Sequence, residues 1–217
     1  MRTILTTLLT LWALAATLAF AFQPEEPACL ISLDKLNEVY IGVDNPASIL
    51  VCGVPEAEIQ IETSENLSIK KGSGLRYTVR ANTPGQGSIT VSGGKLKPVK
   101  FLYQARRFPD PVPRLGAMYG SGTINSAVFK AQGGVAALLE NLGFDAKCDV
   151  ISYKVVHMRN CRFFAEATNS GARFEPGTRV LIDDALPGDT YIFEEIKVRC
   201  PGDKATRTLN HLSFLIR

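Results

Sequence analysis

Several things are scarce in this chain, and each scarcity excludes something. Only two histidines, His157 and His211, occur in 217 residues, so a histidine-rich metal centre is excluded. The single tryptophan, Trp12, lies in the first apolar run, so no tryptophan remains for a buried inter-sheet core of the antibody kind. No block of like charge occurs, and the net charge of +3 is too small for a nucleic-acid surface. Residues 22–108 carry 10 basic and 9 acidic side chains and residues 109–217 carry 13 and 12, so neither half is an electrostatic magnet. Low-complexity tracts are also missing. With 46% hydrophobic residues, the chain is expected to fold along its length apart from the first residues.

Those first residues, "MRTILTTLLTLWALAATLAFAF", hold one arginine, an apolar run and Ala19-Phe20-Ala21. This is the layout of an export signal, residues 1–21, cut after Ala21. The alternative is an uncleaved anchor, because the uncharged run from Thr3 to Gln23 is long enough to span a bilayer. Cys29 follows Glu26-Pro27-Ala28, which lacks the apolar residue of a lipoprotein signal. Either way the chain leaves the cytoplasm. Its five cysteines, Cys29, Cys52, Cys148, Cys161 and Cys200, then meet an oxidising compartment, where one or two disulfides and at least one spare thiol are expected. A Cys161–Cys200 bridge is the expected pairing, since both lie at turns of strands that could be neighbours.

From Cys29 to Tyr103, apolar residues alternate at Ile59/Ile61, Leu67/Ile69, Leu75/Tyr77/Val79 and Ile89/Val91. Turn-forming "KKGSG", "NTPGQG" and "SGGK" separate them, as in an antiparallel immunoglobulin-like β-sandwich over residues 22–108. Prolines 109, 111 and 113 then stiffen an extended link and mark a domain boundary. Residues 109–217 read as a mixed, mainly antiparallel α+β domain. A helix is expected through Val135, Leu138, Leu139 and Leu142, stopped at Gly143. Two strands, "CDVISYKVV" and "RFFAEAT", follow across "HMRNC". A short helix with Pro176 in its first turn and two last strands complete the order α-β-β-α-β-β.

The chemistry on offer is thin. Asp44-Asn45-Pro46 offers a carboxylate, but general acid–base work needs a second group in reach, and Asx-Pro is an ordinary turn starter. His157 with Cys148, Cys161 or Cys200 would make a Cys–His nucleophile, and the same four residues a zinc set. Disulfide pairing competes with both, and the spacing matches no closed zinc site. "GAMYGSGTINS" lacks the lysine of a phosphate loop. Gly133-Gly134 suggests a close backbone approach, and Glu194-Glu195 a bulge or edge position rather than a carboxylate pair. No catalytic, metal or cofactor residue is assigned, and no nucleic-acid partner. A Cys–His hydrolase and an adhesion or carbohydrate-binding sandwich stand as alternatives to a binding protein.

"LNEVYIGVDNPASILVCGV" and "GLRYTVRANTPGQGSITVSG" resemble the penultimate domain of the gliding-motility and type IX secretion family GldM. "RRFPDPVPRLG" is similar to that family's link to its last domain. "AQGGVAALLENLGFDAKCDVISYKVV" and "LPGDTYIFEEIKVRCPGDKATRTLNHLSFLI" are similar to the last domain itself. The resemblance runs from about Leu36 to Arg217. It implies that Gly42, Asp44, Asn45 and Pro46 form the family's turn between two sandwich strands. It also implies a periplasmic or envelope location, docking to outer-membrane-associated ring proteins, and a homo-oligomer. The family's inner-membrane helix and long periplasmic arm have no counterpart in these motifs, so a role in transmitting motor force is not expected.

Overall fold

The computed structural model describes residues 26–33, 38–116, 118–140 and 146–217. The apolar N-terminal run expected to direct export lies outside them. The first eight strands are β1 (Ala28–Leu33), β2 (Glu38–Tyr40), β3 (Asn45–Cys52), β4 (Gln60–Thr63), β5 (Leu67–Lys71), β6 (Arg76–Ala81), β7 (Gly85–Gly93) and β8 (Leu96–Arg106). They form two facing sheets, ordered β1-β3-β6-β5 and β2-β8-β7-β4. This split of strands between two layers is that of an immunoglobulin-like sandwich. The pairs are antiparallel except β2 with β8. Alternation drives it: Val79, Ile89 and Val91 point inward and are fully buried, while their neighbours along each strand are partly or fully exposed.

The corner between β2 and β3 is held by one amide. Tyr40 N–H donates to Asn45 Oδ1 at 2.8 Å, and Asn45 Nδ2 donates to the carbonyls of Tyr40 (2.9 Å), Val43 (3.1 Å) and Val79 (3.1 Å). A chain that turns here leaves backbone groups without ladder partners, and the buried amide supplies both a donor and an acceptor to satisfy them. The neighbouring Asp44 is exposed and pairs with Arg80 at the surface.

The remaining elements are β9 (Val112–Leu115), β10 (Met118–Tyr119), β11 (Gly122–Ile124), α1 (Ser126–Lys130), β12 (Val135–Leu138), β13 (Asp149–Arg159), β14 (Arg162–Ser170), α2 (Pro176–Asp183), β15 (Thr190–Arg199), β16 (Arg207–Thr208) and β17 (Leu212–Ile216). The main sheet runs β11-β17-β15-β13-β14 with β16 beside β15, and a small sheet runs β10-β9-β12. One core gathers Phe129, Tyr191, Phe193, Phe214, Val155 and Ile182 from strands and helices alike.

The helix expected across Val135–Leu142 is not there. α1 ends at Lys130, and Val135–Leu138 is strand β12, paired to β9 from Val135↔Leu115 to Leu138↔Val112. A short apolar run fits both templates, and Gly134 decides between them. Its backbone lies so close to Ala172 O that a Cβ would stand 2.0 Å away, which draws the chain out flat beside the 172–173 backbone. Leu142 and Gly143 lie outside the described residues. α2 does begin at Pro176, where the missing N–H costs nothing.

Because Asn45 serves three carbonyls and one N–H, Asn45→Ala is expected to cost about 3 kcal/mol. Asp44→Ala, breaking only an exposed ion pair, is expected to cost less than about 1 kcal/mol. Urea midpoints of the two variants measure this, and equal midpoints would contradict it.

Candidate functional site

The expected pairing of Cys161 with Cys200 is not the one formed. The structure joins Cys148 to Cys200, with Cα atoms 4.1 Å apart and 52 residues between them in sequence, and leaves Cys161 free and exposed. Register explains it. Asp149 pairs with Arg199 across β13 and β15, so the residues just outside that pair, Cys148 and Cys200, meet. Cys161 sits beyond the opposite end of β13, on the order of 30 Å away. There, Asn160 (φ 53°) and Cys161 (φ 57°) form a two-residue hairpin turn with both residues left-handed. Cys29 and Cys52 also stay free: Cys29 pairs across with Val51 and Cys52 with Ala28, which puts the two thiols on opposite faces.

His157 is fully buried and has no thiol partner. Its Nε2 lies 2.8 Å from Asp189 Oδ2 and its Nδ1 lies 3.2 Å from the Tyr191 hydroxyl, which donates to Leu181 O at 2.9 Å. Both ring nitrogens are thus occupied, and two of the three candidate thiols are a disulfide. The zinc set is spread along the length of β13, and among the described residues no group of three His, Cys, Asp or Glu could hold a metal. Glu195 (φ 50°) sits in a bulge of the central strand β15, where Glu195 and Ile196 together oppose Tyr153. Gly42 to Asp44 turn the chain from β2 into β3, and Asn45 and Pro46 open β3.

Sequence reasoning missed Asp189. Its carboxylate accepts from Arg159 Nε (3.1 Å) and Nη2 (2.9 Å), from Leu186 N–H (3.0 Å) and from His157. Burial pushes this carboxyl up, but the arginine, the backbone N–H and His157 outweigh it and pull it down to about 2. Asp189 thereby ties the end of β13 to the loop after α2. Arg159 then lies 4.3 Å over the Phe164 ring, which also meets His157 edge-on at 4.9 Å.

This anchored hairpin presents a surface. Among the described residues β14 has a strand neighbour on one side only, β13. At the tip Phe163 is 61% exposed. Register carries Phe163 to Met158, Thr190 and Leu215 on one face across β14, β13, β15 and β17, and Val156 lies beside Ile192 in the next row. The charges flanking this band are already paired, Lys154 with Glu166 (2.8 Å) and Glu194 (3.5 Å). Charged side chains usually protect exposed edges, and β4 and β5 of the sandwich carry Glu62, Lys70 and Lys71. β14 itself carries Arg162 at its first position and Glu166, the latter paired with Lys154, whereas the edge β1 is uncharged, with Leu30 exposed opposite Leu50.

The GldM C-terminal domain matches residues 109–217 and the GldM third domain matches residues 28–104. The chain belongs to the GldM family, as a scaffold and docking protein, and family membership points to the cell envelope and to envelope-associated partners. Among solved structures it is similar to the Clostridium thermocellum CbhA fibronectin(III)-like modules at 12% identity, over 88% of this chain and 94% of that one, with a TM-score of 0.28. It is also similar to the tandem Ig repeats of Dlar at 9% identity, over 88% and 98%, with a TM-score of 0.31. A third likeness is to the Yersinia pseudotuberculosis adhesin InvE at 8% identity, over 88% and 59%, with a TM-score of 0.28. No curated protein matches the chain.

Native protein should show two rapidly alkylated thiols, Cys52 and Cys161, and Cys200→Ser should cost about 4 kcal/mol by the loop-closure argument while Cys161→Ser costs almost nothing. Mass spectrometry after alkylation and denaturation midpoints read both. Asp189 has a folded pKa below its unfolded one, so its contribution, on the order of 2 kcal/mol, is present above the ordinary aspartate range and lost as pH falls toward 2. Asp189→Asn should flatten the stability profile between about pH 4 and pH 2, and an unchanged slope would contradict the assignment.

Proposed function

We propose that this chain is an exported, non-enzymatic docking protein that accepts an extended segment of an envelope partner as an added strand along β14. The edge of β14, where no described strand pairs, beside an apolar, four-strand band carries this reading. Main-chain hydrogen bonds along the edge would give affinity, and Phe163, on β14 itself, would meet the partner's apolar side chains, backed by Met158 one strand further in. Since Lys154, Glu166 and Glu194 are ion-paired with one another, recognition rests on backbone and apolar contact rather than on charge. Residues 1–21 serve as the export signal, cut after Ala21, and residues 22–108 and 109–217 are the two domains. The partners are outer-membrane-associated ring proteins of a type IX secretion or gliding system, and the chain can self-associate.

The rival readings find less support. With Cys148 and Cys200 bonded and His157 held by Asp189 and Tyr191, a Cys–His hydrolase lacks its pair. A carbohydrate-binding platform needs coplanar exposed rings. Phe163 faces the outer band while Phe164 packs under Arg159 against His157, so the two do not form one.

The test is affinity capture from envelope extract with tagged wild type, Phe163→Glu and Leu30→Glu. Ring proteins should be recovered by wild type and by Leu30→Glu. Phe163→Glu should lower recovery at least about tenfold, the loss of one well-seated contact. Its melting temperature should barely move, since Phe163 is exposed. Loss of recovery with Leu30→Glu alone would move the contact to β1.

A further inference from the structure

We infer that the two β units are locked into one relative orientation by a built joint, so that the chain tumbles as a single body rather than as two beads on a linker. The joint centres on Phe108, in the segment that separates β8 from β9. Its ring is buried and stacks flat on Tyr40 of the sandwich, with centroids 4.6 Å apart and planes 9° apart. Its carbonyl accepts from Arg207 Nη1 at 2.8 Å, and the same nitrogen reaches Asp110 Oδ1 at 3.0 Å. One linker residue is therefore held by its side chain to the first unit and by its backbone to the second.

Arg207 is itself fixed. Its Nε and Nη2 donate to Asp203 Oδ2 (2.8 Å) and Oδ1 (2.7 Å), a two-pronged pair that holds the guanidinium plane rigid. Asp203 also accepts from Cys200 N–H at 3.0 Å, and Cys200 is tied to Cys148. Burial pushes the Asp203 carboxyl up, but the Arg207 hydrogen bonds and the Cys200 N–H outweigh it and hold it below the usual carboxylate range. The disulfide, the loop, the arginine and the linker carbonyl thus form one chain of contacts from the main sheet to the sandwich.

A second contact makes the joint close-fitting. The turn at Gly42 meets the loop at Gly202 backbone to backbone. A Cβ on Gly42 would stand 2.2 Å from Gly202 N, and one on Gly202 would stand 2.7 Å from Ile41 Cγ2 and 2.8 Å from Ile41 O. Ile41 is buried, so it cannot swing aside. Thus Gly42, the first residue of the turn motif, serves the fit between the units as well as the turn. Two positive-φ glycines facing each other across the junction leave room for neither side chain.

The molecule offers its own control. Gly202 (φ 77°) and Gly171 (φ 75°) have nearly the same left-handed φ, but a Cβ on Gly171 meets nothing within 4 Å. Gly202→Ala and Gly171→Ala therefore carry the same local strain, and only the first opens the joint. Cys52 in the sandwich and Cys161 at the hairpin tip are free, exposed and on different units, so spin labels can be placed there in a Cys29→Ala background of the full chain. Pulsed electron–electron distance measurement should give a narrow distribution for the parent and for Gly171→Ala. Gly202→Ala should shift and broaden it. Arg207→Lys should do the same, because an ammonium cannot hold both Asp203 oxygens and the Phe108 carbonyl in one plane. A broad distribution in the parent, or Gly202→Ala and Arg207→Lys both superimposing on Gly171→Ala, would overturn the joint.

Discussion

A buried carboxylate must be fully hydrogen-bonded or it costs more than its burial returns, and Asp189 meets that constraint by gathering four groups around it. Arg159 and His157 come from one strand, Leu186 from the loop after α2, and the Asp189 backbone itself accepts from Ile216 N–H at 2.8 Å. The polar core of the C-terminal unit is therefore a knot between β13, α2, β15 and β17. Because Arg159 is the last residue of β13, the knot also sets where the hairpin ends and how β14 leaves it. The proposed docking edge inherits its position from this carboxylate. Asn45 does the same work in the sandwich with a neutral amide, bridging the turn to β6 where the ladder is broken. Buried polar side chains thus sit where strands alone leave backbone groups unpaired, Asn45 in the sandwich and Asp189 and Asn169 in the C-terminal unit.

Much of this was legible in the sequence, for physical reasons that differ element by element. The sandwich strands showed themselves because Val79, Ile89 and Val91 alternate with polar neighbours, and a period of two has one structural meaning over such lengths. α2 was marked by Pro176, and the bulge by two adjacent glutamates inside an apolar strand. The run Val135–Leu138 was ambiguous: four apolar residues satisfy helix and strand alike, and a contact to Ala172, far along the chain, made the choice. Strand β9 contains Pro113, which argued for linker rather than strand. It is tolerated because β10 covers only Leu115 and Arg114, leaving Pro113 paired to β12 alone.

The site was less legible than the fold. Disulfide pairing follows strand register, which sequence spacing does not encode, so Cys161 looked as good a partner for Cys200 as Cys148. Asp189 gave little local signal, since its side-chain partners His157 and Arg159 lie about 30 residues upstream. In Asp44-Asn45-Pro46 the eye goes to the carboxylate, but the amide is the buried member because it alone can donate and accept at once. A binding edge is harder still to see, because a strand's being last in a sheet is a property of topology.

The central claim is that a partner adds to β14, and amide hydrogen exchange of the chain with and without the captured ring proteins tests it most directly. Strand addition predicts slowed exchange within residues 162–168, with β1 unchanged, because new inter-strand hydrogen bonds form only along the open edge. Exchange in β14 that stays at its free rate while protection appears on β1 or elsewhere in the sandwich would contradict the account.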